Sequence, residues 1–208
     1  MDGVFMKEII KWTALLLFFV VLVTIMDVMS DRQKLRDSLI RLHVVGASDE
    51  EADQAVKLKV RDAVTVWLQQ EMSGIHQAEQ ARTYLREHLA QIEEIANRTL
   101  SDAGFSDKAR VSFLEETFPV REYDTFTLPS GVYHSLRIRI GEAEGKNWWC
   151  VVFPSLCMGS TVAEMENTAV SAGFDKTLTE TLTGEKQYEL RFFLLDCLGM
   201  LENFFHSA

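Results

Sequence analysis

Residues 132–153 read VYHSLRIRIGEAEGKNWWCVVF, a stretch with two runs of strand-like residues. In the first run, the side chains expected to face inward are Val132, His134, Leu136, Ile138 and Ile140. The positions between them are Tyr133, Ser135, Arg137 and Arg139. Such alternation is typical of a half-buried β-strand. A loop at 141–145 leads to a second run at 147–153. The stretch therefore predicts a hairpin with one apolar face.

Helical periodicity precedes this stretch. Ser48 and Glu51 have the spacing of a capping box, in which the Ser48 side chain accepts from the Glu51 amide. From Ala52, apolar residues recur at helical spacing to about residue 70. A second helix is predicted over residues 78–103, and Gly104 is expected to end it.

The remaining runs complete an α+β pattern. Residues 39–45 are rich in β-branched side chains and predict a strand, and residues 110–118 look extended. Residues 158–187 predict a loosely structured loop, whereas 188–205 predict a C-terminal helix that is apolar on nearly every face. The order of these elements predicts a small antiparallel sheet with helices packed on one face.

The composition is that of a globular protein and makes nucleic acid a poor candidate partner. The chain has 208 residues, of which 47% are hydrophobic and 25% charged, and its net charge is −10. Lysine and arginine are not concentrated in any region, as a nucleic-acid partner would require. We expect one domain over residues 39–208, preceded by an accessory segment.

The accessory segment predicts export from the cytoplasm. Two lysines precede an uncharged run at 12–26, which has the length of the apolar core of an export signal. The small-residue rule for cleavage is met after Ser30, so residues 1–30 are a signal peptide or a membrane anchor. Residues 31–38 are then a polar spacer. The alternative, a buried helix of a cytosolic domain, fits poorly with a run that is apolar on every face.

The 3 cysteines are Cys150, Cys157 and Cys197, so at least one thiol has no partner within the chain. Export permits a Cys150–Cys157 disulfide. Alternatively, Cys150 is a nucleophile paired with His134 from the neighbouring strand, although a thiol in apolar surroundings is usually inert. The C-x₆-C spacing lacks a nearby second pair of ligands, so no metal site and no cofactor are predicted.

Polar side chains flank the predicted strand-to-helix turn. Arg41, His43 and Asp49 can converge there, and a purely structural hydrogen-bonded turn is the alternative. The acidic residues after Ser48 lie in the first helical turn, where the helix dipole favours negative charge. Glycine-rich phosphate loops, serine-nucleophile elbows and H-E-x-x-H are absent from the sequence, which favours a binding role.

Two blocks of the sequence resemble the stage II sporulation protein R family. The first is RLHVVGASDEEADQAVKLKVRDAV from residue 41, and the second is TLPSGVYHSLRIRIGEAEGKNWWCVVFPSLC from residue 127. The second is the more specific because it is long and rich in tryptophan. The resemblance covers about residues 38–157. The chain departs from the family pattern at Ala47, where asparagine is usual, and at His134, where an acidic residue is more common.

The resemblance implies an exported signal of endospore-forming bacteria and not an enzyme. Proteins of this family are made in the forespore and exported into the space between forespore and mother cell. There they activate the stage II sporulation GA protease, a membrane-embedded aspartic protease of the mother cell, which removes the pro-sequence of sigma-E. The alternative function is an extracytoplasmic cell-wall or peptide hydrolase that uses Cys150 and His134.

The candidate partner-binding residues lie mainly on the predicted strands. Trp148 and Trp149 point to opposite faces of one strand, so one is expected in the core and the other at the surface. The alternative is that both pack under loops. Exposed tryptophan and arginine are preferred interface anchors. The predicted set is Trp148, Trp149, Tyr133, Arg137, Arg139, Arg41, His43 and Asp49.

Overall fold

The structure, a computed structural model, describes residues 2–154, 168–170, 174–184 and 189–206. Its α+β fold agrees with the class predicted from the sequence. The helices are α1 (Asp2–Ser38), α2 (Glu51–Glu71), α3 (Ala78–Glu87), α4 (Leu89–Asp102), α5 (Lys176–Leu182) and α6 (Glu189–His206). The strands are β1 (Ile40–Val45), β2 (Ala109–Phe118), β3 (Arg121–Glu122), β4 (Thr127–Leu128), β5 (Gly131–Ile140) and β6 (Asn147–Phe153).

The main sheet is mixed, with the strand order β2–β5–β1–β6. β1 is parallel to β5 and antiparallel to β6, and β2 is antiparallel to β5. The predicted hairpin of β5 and β6 is therefore wrong, because β1 lies between these strands. The physical reason is burial. Every residue of β1 is buried, and a strand that is covered on both faces belongs in the interior of a sheet.

One face of the sheet packs against α2 and α4. The buried side chains of this core include Leu42, Val44, Val56, Val60, Val64, Ile92, Ala96, Leu100, Leu136 and Ile138. Apolar residues of α2 and α4 recur at helical spacing and those of the strands at every second position, so both patterns direct one stripe of side chains into the same layer. Removal of this apolar area from water stabilises the layer by about 25 cal/mol per Å².

The helix predicted over residues 78–103 is divided into α3 and α4 at His88. The backbone of His88 has φ −110° and ψ 15°, outside the helical range. Its ring stacks on Tyr84 with 3.9 Å between ring centroids, and its Nδ1 lies 2.7 Å from the Tyr84 carbonyl oxygen. The predicted end is confirmed, since Gly104 follows α4 with a positive φ of 82°. Glycine adopts this left-handed conformation at little cost.

The predicted capping box at α2 is wrong. The N-cap residue is Glu50, and the helix begins at Glu51. The Ser48 hydroxyl accepts from the Glu50 amide at 3.1 Å and donates to Asp53 Oδ2 at 2.6 Å. Ser48 therefore closes the turn before the helix and does not cap the helix itself.

The second face of the sheet is also covered. Its core includes Val28 and Leu35 of α1, Leu178 and Leu182 of α5, Leu195 of α6, and Phe118, Phe126, Leu128 and Tyr133. Residues 31–38 form the end of α1 in place of the predicted spacer, and Asp31 and Leu35 are each 1% exposed. Most of the predicted loop at 158–187 lies outside the described residues, but α5 falls within it. The C-terminal helix is α6.

Helix α1 is long and apolar enough to cross a membrane, a test that a signal sequence also passes. Its large apolar side chains from Phe5 to Met26 are 40% to 70% exposed. This agrees with the predicted signal peptide or membrane anchor. The candidate cleavage residue Ser30 lies inside α1, between the buried Val28 and Asp31.

Candidate functional site

Most of the predicted partner-binding residues meet on the second face of the sheet. Pairing of β1 with its neighbours places His43 beside Arg137 on one side and Trp149 on the other. Arg41 and Tyr133 lie on the same face, and their side chains are in contact. The alternation of these residues is visible in the sequence. Their convergence depends on the position of β1 between β5 and β6.

Arg41 is a buried cation held mainly by aromatic rings. Its exposed fraction is 0%. The guanidinium carbon lies 4.1 Å from the centre of the Phe118 ring and 5.2 Å from the centre of the Tyr133 ring. Nη2 donates to the hydroxyl of Tyr123 at 2.7 Å. Burial raises the pKa of Tyr133 to about 12, so this phenol stays neutral beside the guanidinium.

His43 is held between a carboxylate and an amide. Its Nδ1 lies 2.8 Å from Glu116 Oε1, and its Nε2 lies 2.8 Å from Asn147 Oδ1. Arg137 Nη1 is 3.4 Å from the same carboxylate oxygen. Burial acts to raise the pKa of Glu116, but the hydrogen bond with His43 and the charges of His43 and Arg137 outweigh it, and the pKa is lowered. Glu116 is therefore a charged group that ties β2 to β1 and β5.

Sequence reasoning missed Glu116 and Asn147. The available signal was the pair of glutamates, Glu115 and Glu116, inside the extended run 110–118. A polar residue in such a run can face water or a partner, and only the pairing of β2 with β5 shows which.

The β3–β4 ribbon, residues 121–128, lies over this face. The guanidinium carbon of Arg121 is 3.8 Å from the centre of the Trp149 ring. Trp149 in turn stacks on His43, with 5.6 Å between ring centroids. Tyr123 and Phe126 stack on each other at 4.7 Å, and Phe126 is buried. Trp149 is thus a half-buried packing residue under the ribbon.

Trp148, Arg139 and Asp49 are each exposed at one end of the sheet, which we name the sheet-end surface. They lie where β1 and β5 end and β6 begins. Trp148 pairs with Val44 and Arg139 with Val45, so their side chains point to opposite faces of the sheet. Trp148 is 37% exposed, and the guanidinium carbon of Arg61 lies 4.4 Å from its ring centre. Asp49 accepts from the Lys146 amide at 2.7 Å, which holds the loop after β1 against the start of β6.

The catalytic pair of the hydrolase alternative is not assembled. Cys150 lies on β6 and His134 on β5, with β1 between them. Cys150 is 5% exposed and disulfide-bonded, so it has no thiolate to act as a nucleophile. Cys197 is a free thiol. Cys157 lies outside the described residues, so the Cys150–Cys157 pairing stays a prediction.

In the part of the chain that the structure describes, no group of three or more His, Cys, Asp and Glu could hold a metal ion.

His134 gives a pH-dependent contribution to stability. Burial, followed by the charge of Arg82, lowers its pKa below the ordinary 6.5, although Glu115 acts in the opposite direction. The unfolded chain therefore binds a proton more readily than the folded chain, and stability is lost as the pH falls below 6.5. The loss levels off once the pH is below the pKa of the folded state.

We expect the His134→Gln variant to lose less stability than the wild type between pH 8 and pH 5. The measurement is urea unfolding of the full chain in a non-ionic detergent across this range. Equal pH dependence in the two chains would contradict the prediction.

Comparison with known proteins identifies relatives. The family model for stage II sporulation protein R matches residues 36–163. Among curated proteins, the chain is 31% identical over 183 residues to stage II sporulation protein R of Bacillus subtilis (strain 168). That match covers 79% of this chain and 82% of the relative. No solved structure matches the chain.

Proposed function

This chain belongs to the stage II sporulation protein R family, and we propose that it is an exported signal that activates the membrane-embedded stage II sporulation GA protease. A role in sporulation follows from the family itself. The proposed consequence of activation is removal of the pro-sequence of sigma-E in the mother cell. The proposed location is the space between forespore and mother cell.

The exposed apolar side chains of helix α1 support the proposed export. The apolar side chains of this helix are exposed from Phe5 to Met26, an arrangement that a membrane or a translocation channel can accommodate. The segment that follows this exposed run packs on the domain, where the side chains of Val28 and Asp31 are buried. Cleavage after Ser30 would remove Val28 from the core. This arrangement favours a domain that remains attached to its membrane helix.

A binding role is favoured over catalysis by the state of Cys150. The candidate nucleophile is buried, disulfide-bonded and separated from His134 by a strand. An activator needs no catalytic group. It needs a surface that binds the active state of the protease more tightly than the inactive state.

The sheet-end surface is the part of the predicted site that a partner can reach without rearrangement. Trp148, Arg139 and Asp49 are exposed, whereas Arg41, His43 and Tyr133 are buried. Trp148 lies beside Arg61, and an exposed tryptophan with a neighbouring arginine has the composition of an interface anchor. We place the contact with the protease here.

A sigma-E-dependent reporter in sporulating cells tests the export and activation steps. We expect reporter activity to be lost when the gene is deleted and restored by the full chain. A chain lacking residues 1–30 is expected to fail, because it cannot be exported and its domain lacks Val28. Normal reporter activity in the deletion strain would overturn the proposal.

The same reporter tests the contact surface. Trp148→Ala is expected to lower affinity for the protease about 30-fold, the effect of removing an interface anchor, and to reduce reporter activity. The matched control is Arg98→Ala, since Arg98 is exposed on α4 and pairs with the exposed Glu94. Reporter activity that is equal in both variants, at equal protein levels, would place the contact elsewhere.

A further inference from the structure

Arg41 carries a positive charge in the protein interior without an acidic partner among the described residues. Among the described residues, the guanidinium of Arg41 makes one hydrogen bond, from Nη2 to the hydroxyl of Tyr123. Nε and Nη1 are buried and have no hydrogen-bond partner in the part of the chain that the structure describes. A buried charge is normally paired with an opposite charge, because removal from water is costly. The two aromatic rings beside Arg41 compensate only in part.

Glu116, the buried carboxylate on the same face, is directed to other cations through Oε1, while its Oε2 is buried without a hydrogen-bond partner among the described residues. Glu116 Oε1 accepts from His43 and also faces Arg137 at 3.4 Å. Arg121, on the β3–β4 ribbon, likewise has a buried Nε without a partner among the described residues. Buried guanidinium nitrogens without a partner among the described residues therefore occur on both Arg41 and Arg121, although the whole chain has a net charge of −10.

Access to Arg41, which is 0% exposed, would require movement of the ribbon but not of a main-sheet strand. The ribbon is a separate two-stranded sheet whose strands have 2 residues each, and among the described strands it does not pair with the main sheet. Tyr123, which bonds to Arg41, is half-buried at the ribbon surface. Displacing the Tyr123 side chain would free the third guanidinium nitrogen without breaking a strand pair of the main sheet.

We propose that Arg41 is the base of a carboxylate-binding site beneath the β3–β4 ribbon. A carboxylate has two oxygens that accept hydrogen bonds from a guanidinium, and its single charge matches that of Arg41. A bound carboxylate would satisfy the free nitrogens and neutralise the buried charge. The proposal goes beyond protease activation and does not depend on it.

The proposal makes a distinctive prediction for Arg41→Met. If Arg41 serves binding, replacement of an unpaired buried cation by an apolar side chain of similar length gives a thermal unfolding midpoint at or above that of the wild type. If Arg41 serves only to hold Tyr123, Phe118 and Tyr133 together, the midpoint falls. A lower midpoint with no change in anion response would therefore overturn the proposal.

Acetate is the direct probe. Thermal unfolding of the full chain in a non-ionic detergent is measured in sodium acetate and in sodium chloride at equal pH and ionic strength. We expect a saturable rise in the wild-type midpoint with acetate, about 3 °C at ten times Kd. Arg41→Met should abolish this rise, and Arg110→Met, which removes an exposed arginine from β2, should retain it.

A third arm with sodium phosphate separates carboxylates from inorganic anions. A rise with phosphate and none with acetate would overturn the carboxylate assignment. No acetate-specific rise, or an equal rise in wild type and Arg41→Met, would mean that the free nitrogens are satisfied by water and would overturn the site.

Discussion

Arg191→Leu is expected to destabilise the domain by about 3 kcal/mol, because the buried carboxylate of Asp31 loses both hydrogen bonds from the guanidinium and keeps only Lys34, whose Nζ lies 3.4 Å from Oδ1. Asp31, near the end of α1, is 1% exposed. Arg191 of α6 donates to its Oδ2 through Nε at 2.9 Å and also through Nη2. Arg191 Nη1 is 3.0 Å from Asp27 Oδ2, one turn earlier on α1. This arginine therefore joins α1 to the C-terminal helix α6.

The effect is measurable as the change in the free energy of unfolding of the full chain in a non-ionic detergent. The control is Arg98→Leu, which removes the solvent-exposed ion pair of Arg98 with Glu94. Loss of such a surface pair should change stability only slightly. Replacing both Asp31 and Arg191 by leucine should recover much of the loss, since no unpaired charge then remains buried. A loss in Arg191→Leu as small as in the control would show that Asp31 is not held by Arg191.

Gly145→Ala is expected to destabilise the domain by about 3 kcal/mol through steric overlap. A Cβ atom at this position would overlap the backbone carbonyl of Ser48 and lie 3.0 Å from Gln54 Nε2. The backbone cannot simply retreat, because the Gly145 amide donates to the Gly46 carbonyl at 3.0 Å. The same loop positions Lys146 for its hydrogen bond to Asp49. The glycine in the G-K-N-W-W-C motif thus allows two loops to touch beside the sheet-end surface.

Gly74→Ala is the matched control for this substitution. No described atom lies within 4 Å of a Cβ at Gly74. We therefore expect a change within about 1 kcal/mol of the wild type. Chemical denaturation of both variants provides the measurement. Equal stability of the Gly145 and Gly74 variants would show that the loop around Ser48 can move aside.

The sequence predicted helices and strands correctly where apolar residues recur at one constant spacing over a long run. The strand at β5 and the helix at α2 are examples, because every second or every third to fourth residue carries the signal. It did not predict the interruption at His88. At that break the His88 ring stacks on Tyr84, and buried apolar residues continue on both sides of it.

The candidate site was predicted in part. Arg41, His43, Arg137 and Trp149 were selected from the sequence, and they do converge. Glu116 was missed because its role depends on which strand lies next to β2. The alternation of side chains along the strands does not distinguish the buried Arg41 from the exposed Arg139.

The sequence by itself determined the long apolar N-terminal helix, the α+β class and the family, since each depends on composition or on residues close together in the chain. The tertiary structure decided that β1 lies between β5 and β6. That position is set by burial of both faces of one short strand against helices far away in sequence. It brings Arg41 and His43 beneath the ribbon and leaves Trp148 and Arg139 at the exposed end of the sheet.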